Sequence, residues 1–197
     1  MPTENLESYS TEDIALLMHL ARQALTAAAE GTLYTPSENE NLSPQLLEHR
    51  ACFITLTIEE HLRGCIGTVT ARMPLYQEVI FSTFQSAVHD PRFLPVTPDE
   101  VPRIRIEISI LTQPQPLEYT HHRELLRLLR PGVDGVILRY GNRTGTFLPQ
   151  VWERISKPED FLSALCHKMG LPHHFWLKNQ MGVEIYTALK YLEPTSA

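Results

Sequence analysis

An α+β domain is what this chain of 197 residues encodes. Three observations lead there. Residues 103–111 alternate, with Ile104, Ile106, Ile108 and Ile110 on one side and Arg105, Glu107 and Ser109 on the other, the pattern of a strand with one apolar face. The order hairpin, helix, strand occurs twice, near 51–111 and near 133–191, which reads as a structural duplication although the two segments share no visible sequence similarity. No linker divides them, so they are expected to share a single compact domain. Apolar residues make up 43% and charged residues 20%, enough for a real core and incompatible with intrinsic disorder.

The elements follow in order. Ser10 is placed to cap a helix, with Glu12 and Asp13 in its first turn and Ile14, Leu17, Met18, Ala21, Leu25 and Ala28 on one face, and Gly31 ends it. Residues 32–48, broken by Pro36 and Pro44, read as a loop with one helical turn at 43–48. Residues 51–58 form a strand by their β-branched and aromatic content, and 62–69 return after the short loop Glu59-Glu60-His61. Pro74 opens a helix that runs to about His89. Asp90-Pro-Arg-Phe-Leu-Pro95 is a stiff loop, because two prolines fix φ within six residues. Thr97-Pro98-Asp99-Glu100 reads as a capped turn before the strand at 103–111. A short helix at 121–130 comes next, then a hairpin of 133–140 and 144–149 across Gly141-Asn142-Arg143. A helix from Ser156 to Met169 stops at Gly170, and one strand over 182–191 closes the chain.

Charge and cysteines exclude several classes. Net charge is −6, which argues against a general nucleic-acid binder and against a polybasic membrane-surface protein. Cys52, Cys65 and Cys166 are too few for a disulfide framework, and none forms a Cys-x-x-Cys pair. The acidic, polar first ten residues lack the basic start and apolar run of a signal peptide, and residues 1–9 read as a disordered tail. No apolar run approaches the ~20 residues of a membrane span. The expected location is the cytoplasm.

One segment carries chemical information. Leu62-Arg-Gly-Cys-Ile-Gly67 puts two glycines in a six-residue strand, which marks a bulge or a place where something approaches the backbone closely. Between Gly64 and Gly67 sits the thiol of Cys65. Arg63 is two residues away and so expected on the same strand face, where a guanidinium beside a sulfur would favour the thiolate. A nucleophile or ligand-gripping thiol is the reading this supports. Beside it stands a plainer one, since a lone strand cysteine is more often a small buried hydrophobe. Cys52 and Cys166, in apolar runs without glycine neighbours, read as core.

Leu62-Arg-Gly-Cys-Ile-Gly67 resembles the signature of the AMMECR-type domain. Five further segments agree in order: Asp90-Pro-Arg-Phe93, Ile106-Glu-Ile-Ser-Ile-Leu111, Val133-Asp-Gly-Val136, Phe147-Leu-Pro-Gln-Val151, and Phe161-Leu-x-x-Leu-Cys-x-Lys-x-Gly-Leu171. The resemblance covers about residues 12–193 and points within the family to the bacterial and archaeal branch called AmmeMemoRadiSam system protein A. It implies an α+β fold with duplicated strand–helix units around a mainly antiparallel, barrel-like sheet, here one domain over 10–193 with halves of about 10–115 and 116–193. It implies Memo-like and radical-SAM proteins as partners, and no reaction, since none is established for the family. Arg63, Gly64, Cys65 and Gly67 carry over from the motif, with Asp90, Arg92 and Glu107 at matching positions. His61 stands where a smaller residue is expected.

Other candidates are weighed against plainer roles. Glu107 is a general base if its strand face lines a cleft, and otherwise half of an Arg–Glu pair on a solvated face. His89 would complete a Cys–His pair, with Asp90 or Glu107 orienting it, but a helix C-terminus favours histidine by its dipole alone. Arg92, in the stiff loop, suits carboxylate or phosphate binding, and equally a salt bridge to Asp90 or Asp99. His121-His122 and His173-His174 point apart as adjacent residues do, and no cysteine or carboxylate completes a zinc set, so no metal and no cofactor are expected. Two functions follow. One is a cysteine-centred enzyme or enzyme subunit acting on a small organic or modified-residue substrate, with Cys65 as nucleophile, Arg63 supporting the thiolate, and Glu107 and His89 moving protons. The other is a non-catalytic partner or scaffold whose Leu-Arg-Gly-Cys-Ile-Gly hairpin is a docking surface, its glycines admitting a partner's backbone.

Overall fold

A computed structural model of the chain describes residues 8–37 and 41–194. The tail expected at 1–9 lies outside these residues as far as residue 7. The fold is α+β, built on two four-stranded sheets, neither of which closes into a barrel. By its contacts the chain divides into two compact units, one running to Leu111 and resuming at Leu189, the other Thr112–Ala188.

The first unit begins with α1, Thr11–Ala29. The Ser10 hydroxyl caps it by accepting the Asp13 N–H at 3.0 Å, and Gly31, at φ 75°, lets the chain turn away. After the single turn α2, Pro44–Leu47, strands β1 (Cys52–Ile58) and β2 (His61–Gly67) form an antiparallel hairpin. Its turn has only two residues, Glu59 and Glu60, both at positive φ, 51° and 66°. The register then slips: Thr57 faces Leu62 and Leu56 faces Gly64, which leaves Arg63 as a β-bulge. Helix α3, Leu75–Val88, and strand β3, Ile104–Leu111, follow. Cys52, Ile54, Leu56, Ile104, Ile106, Ile108 and Ile110 are buried and pack with Leu17, Ala21 and Leu25 of α1 and Leu75 and Val79 of α3. The helices therefore cover one face of the sheet. The other face carries Thr55, Thr57, Arg105, Glu107 and Ser109.

The second unit holds β4 (Gln115–Pro116), α4 (His122–Leu128), β5 (Gly135–Tyr140), β6 (Arg143–Phe147), α5 (Pro158–Lys168) and β7 (Gly182–Tyr186). Its core is separate and centres on Phe161, which stacks on Trp152 at 3.7 Å and meets Phe147 edge-on. The single strand expected at 182–191 is two strands. At Thr187 the chain leaves the second sheet, and β8, Ala188–Leu192, joins the first beside β3. The break has a cause outside the local pattern: Thr187 N–H donates to Thr112 Oγ1 and Thr112 N–H donates to Thr187 O, both at 2.9 Å.

Sheet orders are β2-β1-β3-β8 and β6-β5-β7-β4, so both hairpins pair their first strand with the strand that follows the helix. The duplication extends to register. Leu56 lies between Gly64 and Ile106 as Leu138 lies between Gly145 and Val183. One residue on, Thr55 lies between Cys65 and Glu107 as Ile137 lies between Thr146 and Glu184. Among the described residues no helix is long and apolar enough to cross a membrane.

Candidate functional site

Cys65 sits at the middle of β2, an edge strand. Cross-strand pairing sets Cys65, Thr55 and Glu107 in one row, because directly opposed residues of antiparallel strands share a face. Thr55 Oγ1 lies 3.5 Å from the Cys65 sulfur, and Glu107 Oε1 accepts from Ser109 Oγ at 3.3 Å. Cys65 is a free, half-buried thiol, whereas Cys52 and Cys166 are fully buried, and burial pushes both of those thiols up.

The two glycines have internal reasons. A Cβ on Gly64 would collide with the carbonyl oxygen of Ser86, so α3 rests directly on β2 there. Ser86 Oγ then enters the ladder, accepting the Ile66 N–H at 2.8 Å and donating to Ile54 O at 2.9 Å. A Cβ on Gly67 would collide with Cys52 O. A close backbone approach is what the glycines were read to mark, and the approaching body is the chain itself.

The loop after α3 completes the edge of β2. Asp90 Oδ2 accepts the Cys65 N–H at 2.8 Å, and Arg92 Nη2 donates to Cys65 O at 3.2 Å. Together they satisfy both backbone groups of one edge residue, as a neighbouring strand would. Arg92 also forks onto Asp90, Nε to Oδ1 at 2.9 Å and Nη2 to Oδ2 at 2.6 Å. That pairing, with the N–H bonds from Cys65 and Arg92, holds the buried Asp90 carboxyl down at about 2. Arg92 is pushed up, first by its hydrogen bonds to the Asp90 carboxylate. The guanidinium hydrogen-bonded to Cys65, at its backbone carbonyl, is therefore that of Arg92.

Arg63 goes elsewhere. The bulge breaks the strand alternation that would have set it beside Cys65, and its guanidinium grips Glu100, Nε to Oε1 at 2.7 Å and Nη2 to Oε2 at 2.9 Å. Its remaining bonds reach Leu94 O and Pro95 O. Glu100 also takes the Thr97 N–H at 2.9 Å, and Arg63 followed by Thr97 holds its carboxyl at about 2. The Phe93 ring has Arg63 and Arg92 over it at 5.9 and 5.5 Å. Asp90, Arg92, Phe93 and Glu100 thus pin residues 90–100 against β2. Thr55, Ser86 and Glu100 are contributors that motif reading missed. The turn at Thr97–Glu100 placed Glu100 locally, but nothing local pointed to a partner 37 residues away.

The sequence profile of the AMMECR1 family matches residues 18–191. The chain belongs to this family. It is 34% identical over 201 residues to a protein of Thermofilum pendens, covering 94% of this chain and 92% of that one. It is 41% identical over 146 residues to protein MJ0810 of Methanocaldococcus jannaschii, covering 71% and 70%. Its fold matches the crystal structure of the uncharacterised protein PH0010 of Pyrococcus horikoshii with a TM-score of 0.83, at 34% identity and 93% coverage of both chains.

Within this AMMECR1 domain the remaining candidates separate. Glu107 is in the Cys65 row but one strand beyond Thr55, so its Cα is about 10 Å from that of Cys65. His89 ends α3 and meets Phe84 edge-on at 5.6 Å, and it makes no hydrogen bond to Cys65 or Asp90 among the described residues. His121 caps α4, and His173 stacks on His167 at 4.5 Å. No group of three or more metal-ligating side chains occurs among the described residues.

Proposed function

We propose that this AMMECR1-family chain is an enzyme or enzyme subunit centred on Cys65, acting with Memo-like and radical-SAM partners on a small organic or modified-residue substrate. One observation carries the reading: a free, half-buried thiol 3.5 Å from the Thr55 hydroxyl, on a residue whose carbonyl takes the Arg92 guanidinium at 3.2 Å. Cys65 acts as the nucleophile or covalent anchor. Arg92, in place of Arg63, supplies positive charge at the sulfur. Glu107, on the same face, is the group for moving protons, with Thr55 between it and the thiol. His89, the other candidate for moving protons, meets Phe84 edge-on at the end of α3. The partners rest on the resemblance to the system-protein branch, and three free thiols suit a reducing cytoplasm. In the docking alternative the Leu62–Gly67 hairpin admits a partner's backbone at its glycines; Gly64 and Gly67 already lie against the chain's own backbone at Ser86 and Cys52.

Iodoacetamide labelling, read peptide by peptide in the native protein, tests the reading with Cys52 and Cys166 as internal controls. Cys65 is expected to react more than about tenfold faster than either, as an accessible thiol beside a cation does. Cys65→Ser should also abolish the activity of the system reconstituted with its partners. A Cys65 that stays unlabelled until denaturation, or full system activity in the serine variant, overturns the proposal.

A further inference from the structure

Two other strand threonines give their hydroxyl proton to a carbonyl of the neighbouring strand: Thr57 Oγ1 donates to Arg105 O at 3.4 Å, and Thr146 Oγ1 to Val136 O at 3.0 Å. Thr55 departs from this. Its Oγ1 donates to the Cys65 sulfur at 3.5 Å, and among the described residues that is the one hydrogen bond its side chain makes. The frame holds the pair from both sides. Thr55 lies on the inner strand, paired with Cys65 on one side and Glu107 on the other. Cys65 has its N–H on Asp90 and its carbonyl on Arg92. The sheet itself does not ask for a hydroxyl at this register. The matching place in the second sheet, between Thr146 and Glu184, is taken by the buried Ile137.

We propose that Thr55 is a positioning residue for Cys65, its hydroxyl proton holding the sulfur and favouring the thiolate. This rests on the thiol-centred reading above. A charged sulfur is a far better acceptor than a thiol, so a fixed O–H donor stabilises the ionised form. Threonine also suits a strand by its β-branched shape. Ile137 supplies that shape in the second sheet with no hydroxyl, so shape alone does not call for threonine. The donors of the row are also separate. A hydroxyl has one proton to give; that of Thr55 goes to Cys65, while Glu107 takes its own from the buried Ser109 at 3.3 Å.

Thr55→Val keeps the branched shape and removes the hydroxyl, and Thr55→Ser keeps the hydroxyl. Both are compared with the native chain by iodoacetamide labelling of Cys65 at a series of pH values. In that reaction the sulfur forms a bond to the reagent's CH2 carbon, the carbon–iodine bond breaks, iodide leaves and the thiol proton passes to buffer. At pH 7 the valine variant should label about threefold more slowly. Losing one hydrogen bond leaves about tenfold less thiolate, and the unbonded thiolate, being the stronger nucleophile, recovers part of that. Above about pH 10, where an ordinary thiol is ionised, the order should invert, with the valine variant reacting about threefold faster. Thr55→Ser should follow the native chain at both ends. A change in packing alone slows labelling by the same factor at every pH, and that result overturns the inference, as do superimposed profiles. Either leaves the thiol reading intact, because native Cys65 still reacts. A native Cys65 that stays unlabelled until denaturation overturns both readings together. Labelling of the buried Cys52 in native buffer would report a misfolded valine variant. Thr55→Ile, copying Ile137, then takes its place and the same inversion is read.

Discussion

Asp90 performs two tasks with one carboxylate: it takes the edge N–H of Cys65 and it anchors Arg92. Both favour the ionised form, which is why its folded-state value is about 2 against an ordinary 3.8. A difference of this size corresponds to about 2 kcal/mol of stability. The folded value lies below the unfolded one, so that contribution is complete above about pH 4 and is lost as pH falls toward 2. Asp90→Asn should therefore destabilise the protein by about 2 kcal/mol at pH 7 and by much less near pH 2. Urea unfolding at the two pH values, comparing the gap between native and variant, checks this. An equal gap at both would show that the carboxylate's charge is not what holds the loop. Glu100, held at about 2 by Arg63, titrates in the same window and sets the slope that the Asp90→Asn variant should retain.

The β1–β2 hairpin is the least comfortable element. Two-residue hairpin turns of type I′ need positive φ at both central residues, and Asn-Gly supplies it cheaply. Here two glutamates, Glu59 and Glu60, hold φ at 51° and 66°. Their compensation is slight: Arg103 reaches Glu59 at 3.2 Å and Arg105 reaches Glu60 at 3.9 Å, with both glutamates largely exposed. Glu60→Gly should therefore stabilise the protein by about 1 kcal/mol, seen as a higher denaturation midpoint with unchanged slope. A lower midpoint would mean that the Arg105 contact outweighs the backbone relief. At this scale much was legible in the sequence. Both hairpins, the caps and the alternation of β3 depend on neighbours within a few residues. The glycines of β2 correctly announced a close approach, yet could not say that Ser86 makes it. Arg63 was misplaced because a bulge is invisible in a binary pattern, and Glu100 is 37 residues away. The break at Thr187 was hidden because its partner, Thr112, is 75 residues away. Local signals reveal elements, whereas the partners of polar side chains are set by tertiary pairing.

At the level of the whole chain, the second unit is an insertion between β3 and β8. Its ends meet, through the paired bonds of Thr112 and Thr187, which is the geometry of an inserted domain. Its core residues, from Leu125 to Val183, all come from its own segment, and those of the first unit all come from outside it. The first sheet by contrast depends on the chain's return. β8 covers β3, and Glu193 just beyond it pairs with Arg22 of α1, which also donates to Val101 O and Ile104 O. The segment 112–188 expressed by itself is therefore expected to fold. Trp152 and Trp176, both 3% exposed, are the chain's two tryptophans and both lie in it, so its emission reports directly on its own core. Blue-shifted emission that is lost in one cooperative urea transition is the expected result, at a stability of no more than about 3–5 kcal/mol for so small a core. Emission matching that of the denatured segment would mean that the closed core is insufficient without the residues flanking it.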